Sequence, residues 1–181
     1  MKISQTGLEG CFILEPTVFE DERGYFLETY HKSRFQEAIG KQVNFVQDNQ
    51  SFSKYGVIRA LHYQKGEFAQ AKLVRVLQGR VLDVAVDLRK QSPTYGKHFA
   101  IELSAENKKQ LFIPRGFAHG FVTLSETAEF FYKCDNFYNK DAERGIIFND
   151  DLLNIDWIVP KPQQILSPKD LELPVFKKAE L

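Results

Sequence analysis

A chain of 181 residues with 43% hydrophobic and 13% aromatic side chains can bury one good core and is too short for two, so residues 1–181 read as a single domain. Lys plus Arg number 24 and Asp plus Glu also 24, which leaves no surplus of positive charge to draw the chain to nucleic acid or an anionic membrane surface. Met1 to Gly10 holds no apolar leader core and no apolar run approaches the roughly 20 residues of a membrane span, so the expected location is the cytoplasm. There Cys11 and Cys134, which share no metal or redox spacing, are expected to be unpaired apolar side chains.

Along the chain, the first polar stretch that could carry chemistry is Asp21-Glu22-Arg23-Gly24-Tyr25-Phe26-Leu27-Glu28. Its plain reading is a charged hairpin turn with an edge strand; Arg23 could also fork onto a diphosphate, and Phe26 and Glu28, two apart on a strand, could face one ligand together. Ser33 to Ile39 predicts a helix, with Phe35 and Ile39 four apart and Gly40 as its stop. From Val43 onward, short segments rich in Val, Ile, Phe, Leu and Tyr are divided by turns such as Lys54-Tyr55-Gly56, Gln78-Gly79 and Pro114-Arg115-Gly116, the pattern of antiparallel β-structure. Gln47 and Asn49 open that region; planar amides on alternate positions suit cross-strand hydrogen bonding and equally the recognition of a base or sugar. Within Gly79 to Leu88, Leu82, Val84, Val86 and Leu88 share one face that packs, and Val81, Asp83, Ala85 and Asp87 share a mixed one. The tail after Trp157, with Pro160, Pro162, Pro168 and Pro174, is too broken for continuous strand or helix and is expected to wrap over the surface. The fold class is therefore all-β, a jelly roll or small closed barrel with little helix, whose open end is the usual ligand site.

Four polar side chains interrupt strand-like stretches: His62, Lys72, His119 and Tyr132. Taken singly, a strand His is usually a satisfied structural group and a strand Lys snorkels to solvent. Together they suit one chemistry: removing a proton next to a carbonyl, holding the enolate oxygen, and returning a proton from elsewhere, with no metal or cofactor. Asp83 or Asp170 could orient His62, and the residues alone leave that choice open. His31 and His98 sit among polar neighbours and read as surface.

Pro114 to His119 resembles the second cupin motif, whose final His often binds a metal. The first motif expects His-x-His, and here the chain has His62-Tyr63-Gln64, with a poor ligand in the second place and Lys72 bringing positive charge nearby. No metal is expected, and a sugar or sugar nucleotide is the favoured ligand.

In order along nearly the whole chain, Asp21 to Glu28, Gln47-Asp48-Asn49, Ile58 to Gln64, Ala71-Lys72-Leu73-Val74, Phe112 to Phe121 and Ser167-Pro168-Lys169-Asp170 strongly resemble the dTDP-4-dehydrorhamnose 3,5-epimerases. The resemblance implies a cupin-type jelly-roll barrel with short peripheral helices and dTDP-4-keto-6-deoxyglucose as substrate. It implies His62 as proton acceptor, Asp170 as its carboxylate partner, Lys72 stabilising the enolate and Tyr132 as proton donor. Tyr138 would stack on thymine, with Arg23, Glu28, Gln47, Asn49, Arg59, His119, Glu143 and Lys169 on the nucleotide sugar and Phe26 a weaker contact. A homodimer, in which the N-terminal segment of one subunit lines the partner's site, is also implied.

Strict alternation puts Arg59 and His62 on opposite faces of one strand, so bringing both to one site requires a bulge or bend near Ala60. Because Ala tolerates positive φ poorly, an ordinary backbone is expected there. Enzymes that invert only carbon 3 or carbon 5, or shift the ketone, and a non-catalytic sugar-nucleotide binder remain as alternatives.

Overall fold

The computed structural model describes residues 1–180, which form a sandwich of two antiparallel sheets closed into a jelly-roll barrel. One sheet has the spatial order β1 (Lys2–Gln5), β2 (Phe12–Glu15), β10 (Gln110–Ile113), β7 (Lys72–Gln78), β12 (Thr127–Cys134) and β5 (Gln47–Lys54). The other has the order β13 (Glu143–Gly145), β6 (Ile58–Gln64), β11 (Phe117–Thr123), β8 (Arg80–Asp87) and β9 (His98–Ser104). A separate hairpin, β3 (Val18–Asp21) with β4 (Gly24–Leu27), stands off both sheets and turns at Glu22 and Arg23, as the charged turn predicts.

Alternation decides what each sheet buries. On β8, Leu82, Val84 and Val86 point outward and are covered by Ile146, Leu153, Trp157 and Val159, so the proline-broken tail does wrap the barrel. Val81 and Ala85 of the same strand point inward and meet Leu111, Phe121 and Phe130 between the sheets. The mixed face read from the sequence is thus the barrel's interior, with Asp83 standing on it between two apolar neighbours. The outer face of the six-stranded sheet is covered by the expected helix, α1 (Lys32–Ile39), whose Phe35 and Ile39 pack on Leu14, Leu73 and Phe112. Gly40 ends α1 at φ 67°, a left-handed conformation that glycine enters without steric cost.

The pairing of β6 with β11 carries one irregularity, and it positions the site. His119 lies opposite His62 and Phe121 opposite Arg59, so three residue steps on β6 match two on β11. Ala60 and Leu61 both turn outward into the covered core, and Arg59 and His62 both turn inward. The bend required near Ala60 is therefore present. The ordinary backbone expected there is not: Ala60 keeps a negative φ, but its peptide bond to Leu61 is cis. Gly120 makes the close approach possible, because a Cβ at that position would stand 2.4 Å from the Ala60 Cβ and 2.8 Å from the Arg59 carbonyl oxygen.

Candidate active site

The inward faces of β6, β7, β11 and β12 converge on a cavity of about 550 Å3 at one end of the barrel. His62, Lys72, His119 and Tyr132, which stood out in the sequence because they break apolar strands, all line it. His62, Lys72 and His119 are there for the same local reason, an inward position on a strand whose outward neighbours are committed to a covered core, and Tyr132 takes the inward position on β12 beside them.

His62 is half-buried, and its Nε2–H donates to Asp170 Oδ1 at 2.7 Å. A carboxylate acceptor holds the imidazole in the tautomer protonated on Nε2 and leaves Nδ1 as the basic nitrogen. Asp170 belongs to a short helix, α2 (Pro168–Leu171), that begins as its sequence directs, with Ser167 as N-cap accepting from the Asp170 amide at 3.1 Å and Pro168 in the first turn. The choice between Asp83 and Asp170 that the sequence left open is settled by position: Asp83 Oδ2 accepts instead from His119 Nε2 at 2.9 Å.

Lys72 faces the cavity from the start of β7, with its ammonium 5.6 Å from the centroid of the Tyr132 ring. Burial lowers its pKa below the ordinary lysine value, against the pull of nearby negative groups that include Asp83 and Glu143. Burial also lowers the pKa of His119 and raises that of the Tyr132 phenol, so around neutral pH His119 is an uncharged ring and Tyr132 keeps its proton. His119 is stacked near Phe130 at 5.9 Å between centroids. A base held by a carboxylate, an ammonium in a partly dry pocket and a protonated phenol are the parts needed to move a proton off and onto carbon beside a carbonyl.

At the mouth of the cavity Glu143 accepts from the Tyr138 hydroxyl at 2.8 Å and from Lys169 Nζ at 2.7 Å. Burial opposes ionisation of Glu143, but these two donors outweigh it and hold its pKa below the usual carboxylate value. Gln47 Oε1 accepts from the Tyr138 amide at 2.9 Å, and Gln47 Nε2 donates to Asn49 Oδ1 at 3.1 Å, which links both amides to the Tyr138 loop. Arg59 lines the cavity and donates to Ser53 Oγ at 3.1 Å.

Arg23, Phe26 and Glu28 do not join the cavity of this chain. They are exposed on or just after the β3–β4 hairpin, Arg23 paired with Asp21 at 2.6 Å and Glu28 with Arg34 at 2.9 Å. His31 and His98 are exposed, and Cys11 and Cys134 are buried free thiols. No group of three or more His, Cys, Asp or Glu side chains among the described residues is placed to hold a metal ion.

Two contributors escaped the sequence reading. The His119–Asp83 pair is one; its signal was an aspartate on the inward face of an apolar strand. Gln64 is the other: it occupies the place of a cupin metal ligand, yet its Oε1 accepts from the Asn139 amide at 2.6 Å and its Nε2 donates to the carbonyls of Phe68 at 2.8 Å and Phe137 at 3.2 Å. The buried amide pins the loop that carries Tyr138.

Comparison with known proteins points to one family. The family model for dTDP-4-dehydrorhamnose 3,5-epimerase matches residues 5–178. A dTDP-4-dehydrorhamnose 3,5-epimerase of Shigella flexneri is 53% identical over 99% of this chain and 98% of its own length. Among solved structures, the dTDP-4-dehydrorhamnose 3,5-epimerase of Elizabethkingia anophelis superposes with a TM-score of 0.95 at 62% identity, covering 98% of this chain and 97% of that one. A dTDP-6-deoxy-D-glucose-3,5-epimerase of Legionella pneumophila, solved with dTDP-4-keto-L-rhamnose, superposes with a TM-score of 0.94 at 46% identity, covering 98% of this chain and 93% of that one.

Proposed function

The chain belongs to the dTDP-4-dehydrorhamnose 3,5-epimerase family and converts dTDP-4-keto-6-deoxy-D-glucose to dTDP-4-keto-L-rhamnose, and we propose that His62, Lys72 and Tyr132 carry the chemistry with Asp170 orienting the base. The observation that carries this assignment is the inward convergence of the four side chains on one cavity, with the His62–Asp170 bond at 2.7 Å. The 4-keto group acidifies the hydrogens on carbons 3 and 5. His62 Nδ1 takes one as a proton, the electron pair moves onto the carbonyl oxygen, and the Lys72 ammonium offsets the charge that gathers there. Tyr132 delivers a proton to the opposite face of the same carbon, which inverts it. Ring adjustment then presents the second carbon to the same base. Every step moves a proton only, so the reaction calls for no cofactor.

Arg59, His119, Tyr138, Glu143 and Lys169 hold the nucleotide sugar, with Gln47 and Asn49 behind them and thymine stacked on Tyr138; this binding, remote from the reacting carbons, fixes the ring. The site is completed in a homodimer, where Arg23, Phe26 and Glu28 reach the partner's cavity. Support for that reading is the hairpin itself, which stands away from its own cavity and exposes Phe19, Tyr25 and Phe26. The enzyme works in the cytoplasm, in keeping with described residues that form no helix long and apolar enough to cross a membrane.

The deciding experiment is incubation with dTDP-4-keto-6-deoxy-D-glucose in D2O, followed by NMR of the sugar. Deuterium at carbons 3 and 5, abolished in His62→Ala, is the expected result. Label at one carbon alone marks a single-centre epimerase, and undiminished label with His62→Ala removes His62 as the base.

A further inference from the structure

The interior holds two histidine–aspartate pairs, and they sit in unlike surroundings. Asp170 reaches His62 from the mouth of the barrel, where the imidazole is 31% exposed. Asp83 comes from the middle of β8, is fully buried, and has Val81 and Ala85 of the interior apolar cluster on either side. Its Oδ2 holds His119, while its Oδ1 is buried without a hydrogen-bond partner among the described residues. A half-satisfied carboxylate in an apolar interior weakens a fold, and an amide of the same shape would fill the space without the charge. The charge itself therefore has work to do.

We propose that Asp83 is a positioning residue of the epimerisation, which locks His119 as the Nε2–H tautomer with Nδ1 left as an acceptor for a sugar hydroxyl, and supplies the buried counter-charge of the Lys72 ammonium. The inference rests on Lys72 as the group that takes up the enolate charge. Lys72 shares the cavity with Tyr132 of β12, Glu143 of β13, His62 of β6 and His119 of β11, lies opposite Cys134 in the β7–β12 ladder, and has Asp83 of β8 standing behind His119, bonded to that ring and making no direct ion pair with the ammonium. Burial raises the pKa values of both Cys134 and Tyr132, so neither carries charge near neutrality. Glu143 is already engaged by Lys169 and Tyr138. Among these groups Asp83 alone keeps a buried oxygen without a hydrogen-bond partner, and its field favours the protonated lysine that burial disfavours.

The test is the pH profile of kcat in wild type, Asp83→Asn and Lys72→Met, with dTDP affinity and thermal melting as checks on the folded state. In Asp83→Asn the alkaline limb is expected to move about one pH unit lower, so that turnover on that limb falls about tenfold, while the acid limb and dTDP affinity stay. An unmoved alkaline limb in a folded, dTDP-binding Asp83→Asn overturns the proposal. Wild-type turnover in Lys72→Met is a different failure, because it removes the role of Lys72 and this inference with it. A measurement on the wild type covers the case in which Asp83→Asn does not fold: 15N NMR of labelled histidine is expected to show His119 neutral and protonated on Nε2 at pH 7.5. An Nδ1–H tautomer, or a doubly protonated ring at that pH, overturns the proposal without any variant.

Discussion

His62 and His119 stand directly opposite each other on β6 and β11, yet their imidazoles turn to carboxylates from different elements, Asp170 of α2 and Asp83 of β8. His62, the proposed base, is thus aimed by a helix of one turn whose own start is fixed by Ser167. Asp170→Asn keeps the shape but removes the acceptor charge that selects the tautomer and stabilises the imidazolium. A loss in kcat on the order of 10²-fold or more is expected, with KM little changed, measured by solvent deuterium incorporation.

Tyr132→Phe removes the proposed proton donor and leaves His62 in place. The expected outcome is a kcat lower by roughly 10²- to 10⁴-fold, while His62 still exchanges substrate hydrogen with solvent and returns it to the same face. NMR of recovered substrate separates the two events: deuterium without inversion is the predicted signature, and normal inversion would assign the donor elsewhere.

Gln64→Ala frees the loop that carries Tyr138, since one buried amide supplies two of that segment's anchors to β6, at Phe137 and Asn139, and a third bond to Phe68. With that loop assigned by the proposal to the nucleotide end, KM for the sugar nucleotide should rise about tenfold or more while kcat changes little. Calorimetric titration with dTDP reads the same loss without turnover.

Much of this was legible in the chain and some was not, for definable reasons. The helix ending at Gly40 was legible because Phe35 and Ile39 sit on one face and a glycine follows. β1 and β2 were not anticipated, because four-residue strands carry too little alternation and owe their place to pairing with β10. The set His62, Lys72, Tyr132 was legible as polar residues on apolar strands, whereas the carboxylate serving His62 lies 108 residues away along the chain and is assigned by the placement of α2 alone. Alternation failed at Arg59 and His62 because period two assumes an unbroken ladder, and the register of β6 against β11 is broken between them.

Asp87 offers a prediction for stability against pH. It is fully buried and accepts from Arg89, Ser92 and Thr94, with Arg89 Nη2 at 2.7 Å. Burial alone would raise its pKa, but these donors outweigh burial and bring it from 3.8 to about 2. A carboxyl with a folded-state pKa below its unfolded value stabilises the fold above the unfolded value, and that contribution is lost as pH falls from about 4 toward 2. Asp87→Asn is therefore expected to lower stability by about 2 kcal/mol near neutrality and to remove part of the acid-induced loss between those values, as followed by urea denaturation at a series of pH values.

Gly120 tests whether the bulge on β6 is what aims His62. The new Cβ of Gly120→Ala would lie 2.4 Å from the Ala60 Cβ, and the atoms it meets include the Ala60 Cα and the Arg59 carbonyl oxygen, backbone that cannot swing aside. β6 must move away from β11 at the position that turns Arg59 and His62 to one side. A stability loss of about 1–3 kcal/mol is expected from overpacking, together with a fall in kcat, since His62 shifts against Lys72 and Tyr132 on the facing sheet. Adding Ala60→Gly removes the nearest of the clashing atoms and leaves the backbone ones, so the double variant should recover part of the melting temperature and part of the activity. Recovery of both together ties the base to the bulge; full activity in the single variant at reduced stability would show that His62 is aimed by Asp170 alone.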